Sequence, residues 1–217
     1  MKIFLSPSNQ TENKYTGLNT NEAEVCGKIG KACYTALKRN GFDVMLQQYD
    51  SMQNRCVASD KYDADLHVCI HTNSFNGKVS GTRMFCYSTS GEGMKACKAI
   101  FNVLAPFTPG TSENIQVNKE LYEVRVPSAP TAYIEVDFHD VPSVAKWLAE
   151  HTTEIGEKIC EGICHYFNVE YKAVKKTTTL YRVQVGAYSV KANAEKMLDK
   201  LLKAGFQGFI TTVTKED

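Results

Sequence analysis

The stretch 65–73, DLHVCIHTN, constrains the fold more than any other. Leu66, Val68 and Ile70 alternate with His67, Cys69 and His71, and the run then breaks into Thr72, Asn73 and Ser74. A short, β-rich apolar run that ends in a polar cluster suits an inner strand of an α/β sheet. Ligands of such sheets bind beyond the carboxyl ends of the strands. His71 is the last strand residue before that edge, where an imidazole can serve a metal.

The flanking sequence supplies the rest of a sheet. Strands are predicted over 2–6, 42–46, 84–87, 121–126 and 131–138, with a long polar loop over 108–119. A helix capped by Thr20 or Asn21 runs to about Asn40, with Glu22 and Glu24 in its first turn and a stripe of Val25, Ile29, Cys33 and Leu37. Gly41 stops it. Further helices are predicted over 51–62, 93–104 and 142–167. The alternation implies an α/β fold: a mainly parallel twisted sheet with helices on both faces, spanning 1–170. Residues 171–179, polar and basic without an apolar period, read as a linker. Residues 180–217 read as a small βαβ unit, with strands over 180–185 and 209–213 around a helix over 191–204.

Composition narrows the function classes. A formal net charge of +1 argues against nucleic acid as a partner, because phosphate binding needs a basic surface. No run of about 18 apolar residues is present, so no membrane insertion is expected. The N-terminus runs straight from Met1 into a strand without the pattern of a signal peptide, which predicts synthesis in the cytoplasm. The eight cysteines include no CxxC pair and sit on apolar faces, which predicts reduced, buried thiols.

Three residues stand out as chemistry. His71 ends the inner strand, and Glu22 opens the first helix. Glu135 lies inside YIEVDFH, where a strand carboxylate is costly unless it is paired, protonated or bound to metal. The plain alternative for Glu135 is an ion pair with Arg55 or Arg125.

Four local patterns, in order, resemble the zinc-dependent N-acetylmuramoyl-L-alanine amidases of the cell-wall hydrolase type. They are IFLSPSN where the family has a strand ending in Asp-Pro-Gly-His, Asn21-Glu22 at the first helix, Asp65 through His71-Thr72-Asn73, and Pro130 through Glu135 to Phe138. The resemblance implies a Zn2+ ion held by Asn9, Glu22 and His71. It implies Glu135 as the catalytic proton carrier, and Asn73 and Arg125 as substrate contacts, with Arg55 also near the cleft. The implied reaction is hydrolysis of the amide between N-acetylmuramic acid and L-alanine in peptidoglycan. Asn9 stands where the family has a histidine, and Gln10, Glu12, His67 and His139 are the other candidates for that ligand. A departure of this kind also leaves open a peptidoglycan-binding protein on the amidase fold. The segment YRVQVGAY, followed by Ala192-Asn193-Ala194 and Gly205-Phe206, resembles the first half of a peptidoglycan-binding SPOR domain. Half a module predicts a homodimer through 180–217. Without a leader, the chain is expected to reach the wall after release, as an endolysin does.

Overall fold

The inner strand is β3, Leu66–Asn73, lying between β1, Lys2–Pro7, and β6, Thr131–Phe138. Outside β1 lies β2, Asp43–Leu46, and beyond β6 lie β4, Arg83–Cys86, and β5, Asn114–Val117. In this computed structural model, which describes residues 1–174 and 182–213, β1, β2, β3 and β6 run parallel. β4 runs antiparallel against β6 and carries β5 parallel to itself. The chain divides into two units, Met1–Val174 and Lys175–Asp217.

The alternation in β3 sorts side chains to two faces. Leu66, Val68 and Ile70 join Ile3, Leu5, Ala132, Ile134 and Val136 in the main core. That core is covered by α1, Glu22–Arg39, α3, Glu92–Leu104, and α6, Thr152–Tyr166. Each aliphatic side chain fully buried there stabilises the fold by about 1.5–3 kcal/mol. The other face, bearing His67, Cys69 and His71, is covered more thinly by α2, Met52–Tyr62, and α4, Tyr122–Arg125. The helix α5, Pro142–Glu150, follows β6. Gly156 and Gly162 permit the close approach of α6: a Cβ on Gly156 would stand 2.7 Å from Cys33 N, and one on Gly162 would stand 2.4 Å from Ile100 Cα. All eight cysteines are buried and unpaired. No helix among the described residues is long and apolar enough to cross a membrane.

Several elements depart from the sequence reading. The strand expected over 121–126 is the one-turn helix α4. Asn118 Oδ1 accepts the N–H groups of Glu120 and Leu121, at 2.9 and 3.3 Å, and so turns the chain before it can extend. The single helix expected over 142–167 is two helices, α5 and α6. They break at His151, whose ring nitrogen Nδ1 faces the Trp147 carbonyl at 2.8 Å. β5 lies within the expected polar loop, because an edge strand needs no apolar alternation when its outer side is wet. The start of the expected linker packs on the first unit: Lys172 N donates to Asn40 Oδ1 at 2.6 Å, and Arg39 Nε donates to Lys172 O at 2.9 Å. Residues 175–179 of it lie outside the described residues.

The second unit holds α7, Lys191–Lys203, in which no residue is buried. The two strands expected around it are absent among the described residues, and 180 and 181 lie outside them. Backbone N–H and C=O groups of an extended segment need a neighbouring strand. The two candidate segments do not pair with one another.

Candidate metal centre

α1 begins with Asn21 as its N-cap, its Oδ1 accepting Glu24 N at 3.0 Å. This cap makes Glu22 the first helical residue, where the helix dipole favours a carboxylate. The Glu22 side chain reaches over the sheet edge to the end of β3. There His71 Nδ1 lies 2.9 Å from Glu22 Oε1, with both side chains buried. In β6 Glu135 is the register partner of His71, so their side chains stand side by side on one face. The pairing then slips, and Asn73 meets Phe138, an irregularity of the kind that re-aims side chains near sites. Tyr133 stacks on the His71 ring at 4.7 Å between centroids.

The electrostatics follow from this packing. Burial pushes the Glu22 carboxyl up, but hydrogen bonds from His71, Asn13 and Ser8 and the charge of His71 outweigh it and hold its pKa below the ordinary value. Burial likewise works against a charged His71, and the Glu22 hydrogen bond with the charges of Glu135 and Glu22 overcomes it and raises the pKa. Glu135 is pushed up to about 8, by burial first and by the Glu22 charge as well, with His71 acting in the opposite direction. Its Oε2 is buried without a hydrogen-bond partner, as is His71 Nε2.

Among the described residues no lysine or arginine pairs with Glu22 or Glu135. Two carboxylates therefore face one imidazole, and Glu135 Oε2 and the far nitrogen of His71 are left without partners. This donor set fits a divalent cation, because nitrogen and carboxylate oxygen are both good ligands for one.

The remaining sequence candidates are placed as follows. Asn9 is exposed and turns outward, its Nδ2 donating to Asp50 O at 2.9 Å, so it does not meet Glu22 and His71. Gln10 comes in its place, with Nε2 3.5 Å from His71 Nδ1. Glu12 is exposed beside Thr11. His139 stacks on Tyr15, and its Nδ1 faces Thr72 Oγ1 at 3.0 Å. Asn73 closes β3, its Oδ1 accepting Ser74 N at 2.8 Å. Arg125 is exposed at the end of α4, with its guanidinium over the Tyr122 ring.

Neither arginine reaches Glu135. Arg55 is buried against Glu123, a residue the sequence reading missed because it expected a strand there. Arg55 Nη2 lies 2.6 Å from Glu123 Oε2, Ser6 Oγ donates to Oε1 at 2.5 Å, and His67 Nε2 lies 3.4 Å from Oε1. His67, Cys69 and Glu123 together bring ligand-type atoms within 4.8 Å of one another. Here the positive charge that balances Glu123 is already supplied by Arg55, so this buried group is an ion-pair network first.

A family model described as N-acetylmuramoyl-L-alanine amidase matches residues 8–165, and a model of the SPOR domain matches residues 165–217. The sporulation-specific N-acetylmuramoyl-L-alanine amidase of Bacillus subtilis (strain 168) is 25% identical over 219 residues, covering 97% of this chain and 84% of the relative. Two solved structures share the fold. The catalytic domain of CwlV, an N-acetylmuramoyl-L-alanine amidase of Bacillus (Paenibacillus) polymyxa var. colistinus, has a TM-score of 0.71 at 16% identity, covering 78% of this chain and 99% of that one. The N-acetylmuramoyl-L-alanine amidase of Clostridium difficile 630 has a TM-score of 0.69 at 19% identity, covering 77% and 96%.

Proposed function

This chain belongs to the N-acetylmuramoyl-L-alanine amidase family, and we propose from that premise that it cuts the muramoyl–L-alanine amide of peptidoglycan at a zinc site held by Glu22 and His71. The observation that carries the site assignment is the approach of His71 Nδ1 to Glu22 Oε1, 2.9 Å, beside Glu135 and away from any lysine or arginine pair. Zinc held there would polarise the amide carbonyl and make a water more acidic.

The protein's part is to hold and move protons. Glu135 takes the proton of the attacking water and delivers it to the leaving nitrogen of L-alanine. A carboxyl pushed up to about 8 would come down beside a cation, toward the range where one group can both accept and give a proton. Tyr133, stacked on His71, fixes the imidazole plane. Asn73, at the end of β3, and Arg125, exposed on α4, are assigned to contacts with the substrate.

The SPOR match assigns the second unit to peptidoglycan binding. We place a homodimer contact there. Val183, Phe206, Phe209 and Val213 are all exposed, and α7 buries nothing, so a second copy offers the missing cover. Light scattering of the intact chain at micromolar concentration tests this, with a monomer counting against it. Eight unpaired thiols suit folding in a reducing compartment, followed by release to the wall.

Digestion of purified wall is the decisive assay. New L-alanine amino termini are expected, lost on chelation and restored by zinc, and absent in Glu135→Gln. Among the described residues no histidine besides His71 bonds to Glu22, which favours one rival, a binder that pulls down wall without cutting it. Pull-down without new termini would establish that rival.

A further inference from the structure

The loop after β1 is stitched to the first turn of α1. Ala23 N donates to Gln10 O at 3.2 Å, and Glu22 N donates to Asn13 O at 2.9 Å. Ser8 Oγ accepts Gln10 N at 3.3 Å, and in this turn Asn9 reaches Asp50 whereas Gln10, also exposed, lies beside His71. Asn13 then bridges the site: its Nδ2 donates to Gln10 Oε1 at 2.9 Å and to Glu22 Oε2 at 2.5 Å. Gln10 is thus the side chain, besides Glu22, that the structure holds within reach of the metal-facing nitrogen of His71.

We infer that Gln10, through its amide oxygen, is the third protein ligand of the metal. The inference rests on the reading of Glu22 and His71 as a metal centre. Rotation about the last torsion of Gln10 exchanges the two ends of its amide, a torsion with broad minima, and turns Oε1 toward the Glu22–His71 pair. The rotation gives up the bond from Asn13 Nδ2 to Gln10 Oε1, and Asn13 keeps its bond to Glu22. The other candidates are engaged elsewhere: Asn9 with Asp50, Glu12 with Thr11, His139 with Thr72, and His67 at Glu123. The resulting set is one nitrogen and two oxygens, one of them from a neutral amide. Such a set holds zinc more weakly than one with two imidazoles, and it discriminates less against manganese.

The test is metal affinity of the intact protein, measured by competition with a chromophoric chelator for Zn2+ and for Mn2+. Gln10→His is expected to tighten zinc by about tenfold or more and to raise its preference over manganese. Gln10→Ala is expected to loosen zinc by about tenfold. Asn9→His is expected to leave both affinities unchanged. If Asn9→His tightens zinc and Gln10→His does not, Asn9 is the ligand and the inference falls. If neither histidine changes the affinity, the third ligand does not come from this loop, and the inference also falls. His71→Ala separates the two levels. Zinc bound equally by that variant and by the parent overturns the metal centre itself, whereas zinc lost there with no effect at Gln10 overturns only the ligand. Because Gln10→His gains affinity, misfolding of a variant cannot imitate the expected result.

Discussion

Glu135→Gln should make the metal-free protein more stable at alkaline pH. The carboxyl titrates at about 8 in the folded chain against an ordinary 4.5. The folded state therefore holds this proton more tightly than the unfolded state. Below the unfolded value both states are protonated and nothing is lost. As pH rises from there toward the folded value, stability falls, and above it the loss is constant. At about 1.4 kcal/mol per pH unit the full loss is on the order of 4–5 kcal/mol, reduced to about 3 by the partial exposure of the side chain. A glutamine has no such titration. The stability difference between variant and parent should grow by about 3 kcal/mol between about pH 5 and pH 9 in the presence of chelator. Glu22 and His71, the charged groups that face Glu135, are common to both proteins. Urea denaturation followed by Trp147 fluorescence is suited to this. Trp147 is the sole tryptophan and packs between Phe107 and His151 in the first unit. A difference that stays flat across this range would refute the claim that the site strips water from Glu135.

Other perturbations probe other parts of the fold. Arg55→Met leaves Glu123 buried without its cation and should cost about 3–5 kcal/mol in denaturation, with much of the loss recovered when Glu123→Leu is added. Gly162→Ala drives a methyl into the backbone of α3 and should lower stability by about 1–3 kcal/mol or more, visible as a lower melting temperature with unchanged zinc stoichiometry. Asp137 accepts the N–H groups of Gly81, Gly110 and Phe138, so Asp137→Ala should loosen the loops around Gly81 and Gly110, read as faster amide hydrogen exchange there.

The strand period of 65–73 and the cap signal at Thr20 or Asn21 were sufficient to place His71 at a strand end and Glu22 in a first helical turn, because both signals are local. A period of two assigns a residue to a face wherever one face is buried, and a cap fixes where a helix begins. Glu135 was legible for a similar reason: a carboxylate within a buried strand is conspicuous against its neighbours. α4 was not legible, since Leu121 to Val126 satisfies a strand pattern and a single helical turn equally well over so few residues. The partner of Arg55 went unseen with it, since Glu123 meets that cation only after the chain has turned.

The sequence by itself determined the parallel core, the first-turn position of Glu22 and the sheet edge to which His71 belongs, all properties of short segments and their periodicities. Only the tertiary structure decided that β4 and β5 reverse direction, that α5 and α6 break at His151, and that Gln10 rather than Asn9 turns toward the imidazole. The outward turn of Asn9 depends on a distant acceptor, Asp50 O, whereas Gln10 is met by Asn13 of its own loop. No periodicity along the chain encodes a partner 41 residues away.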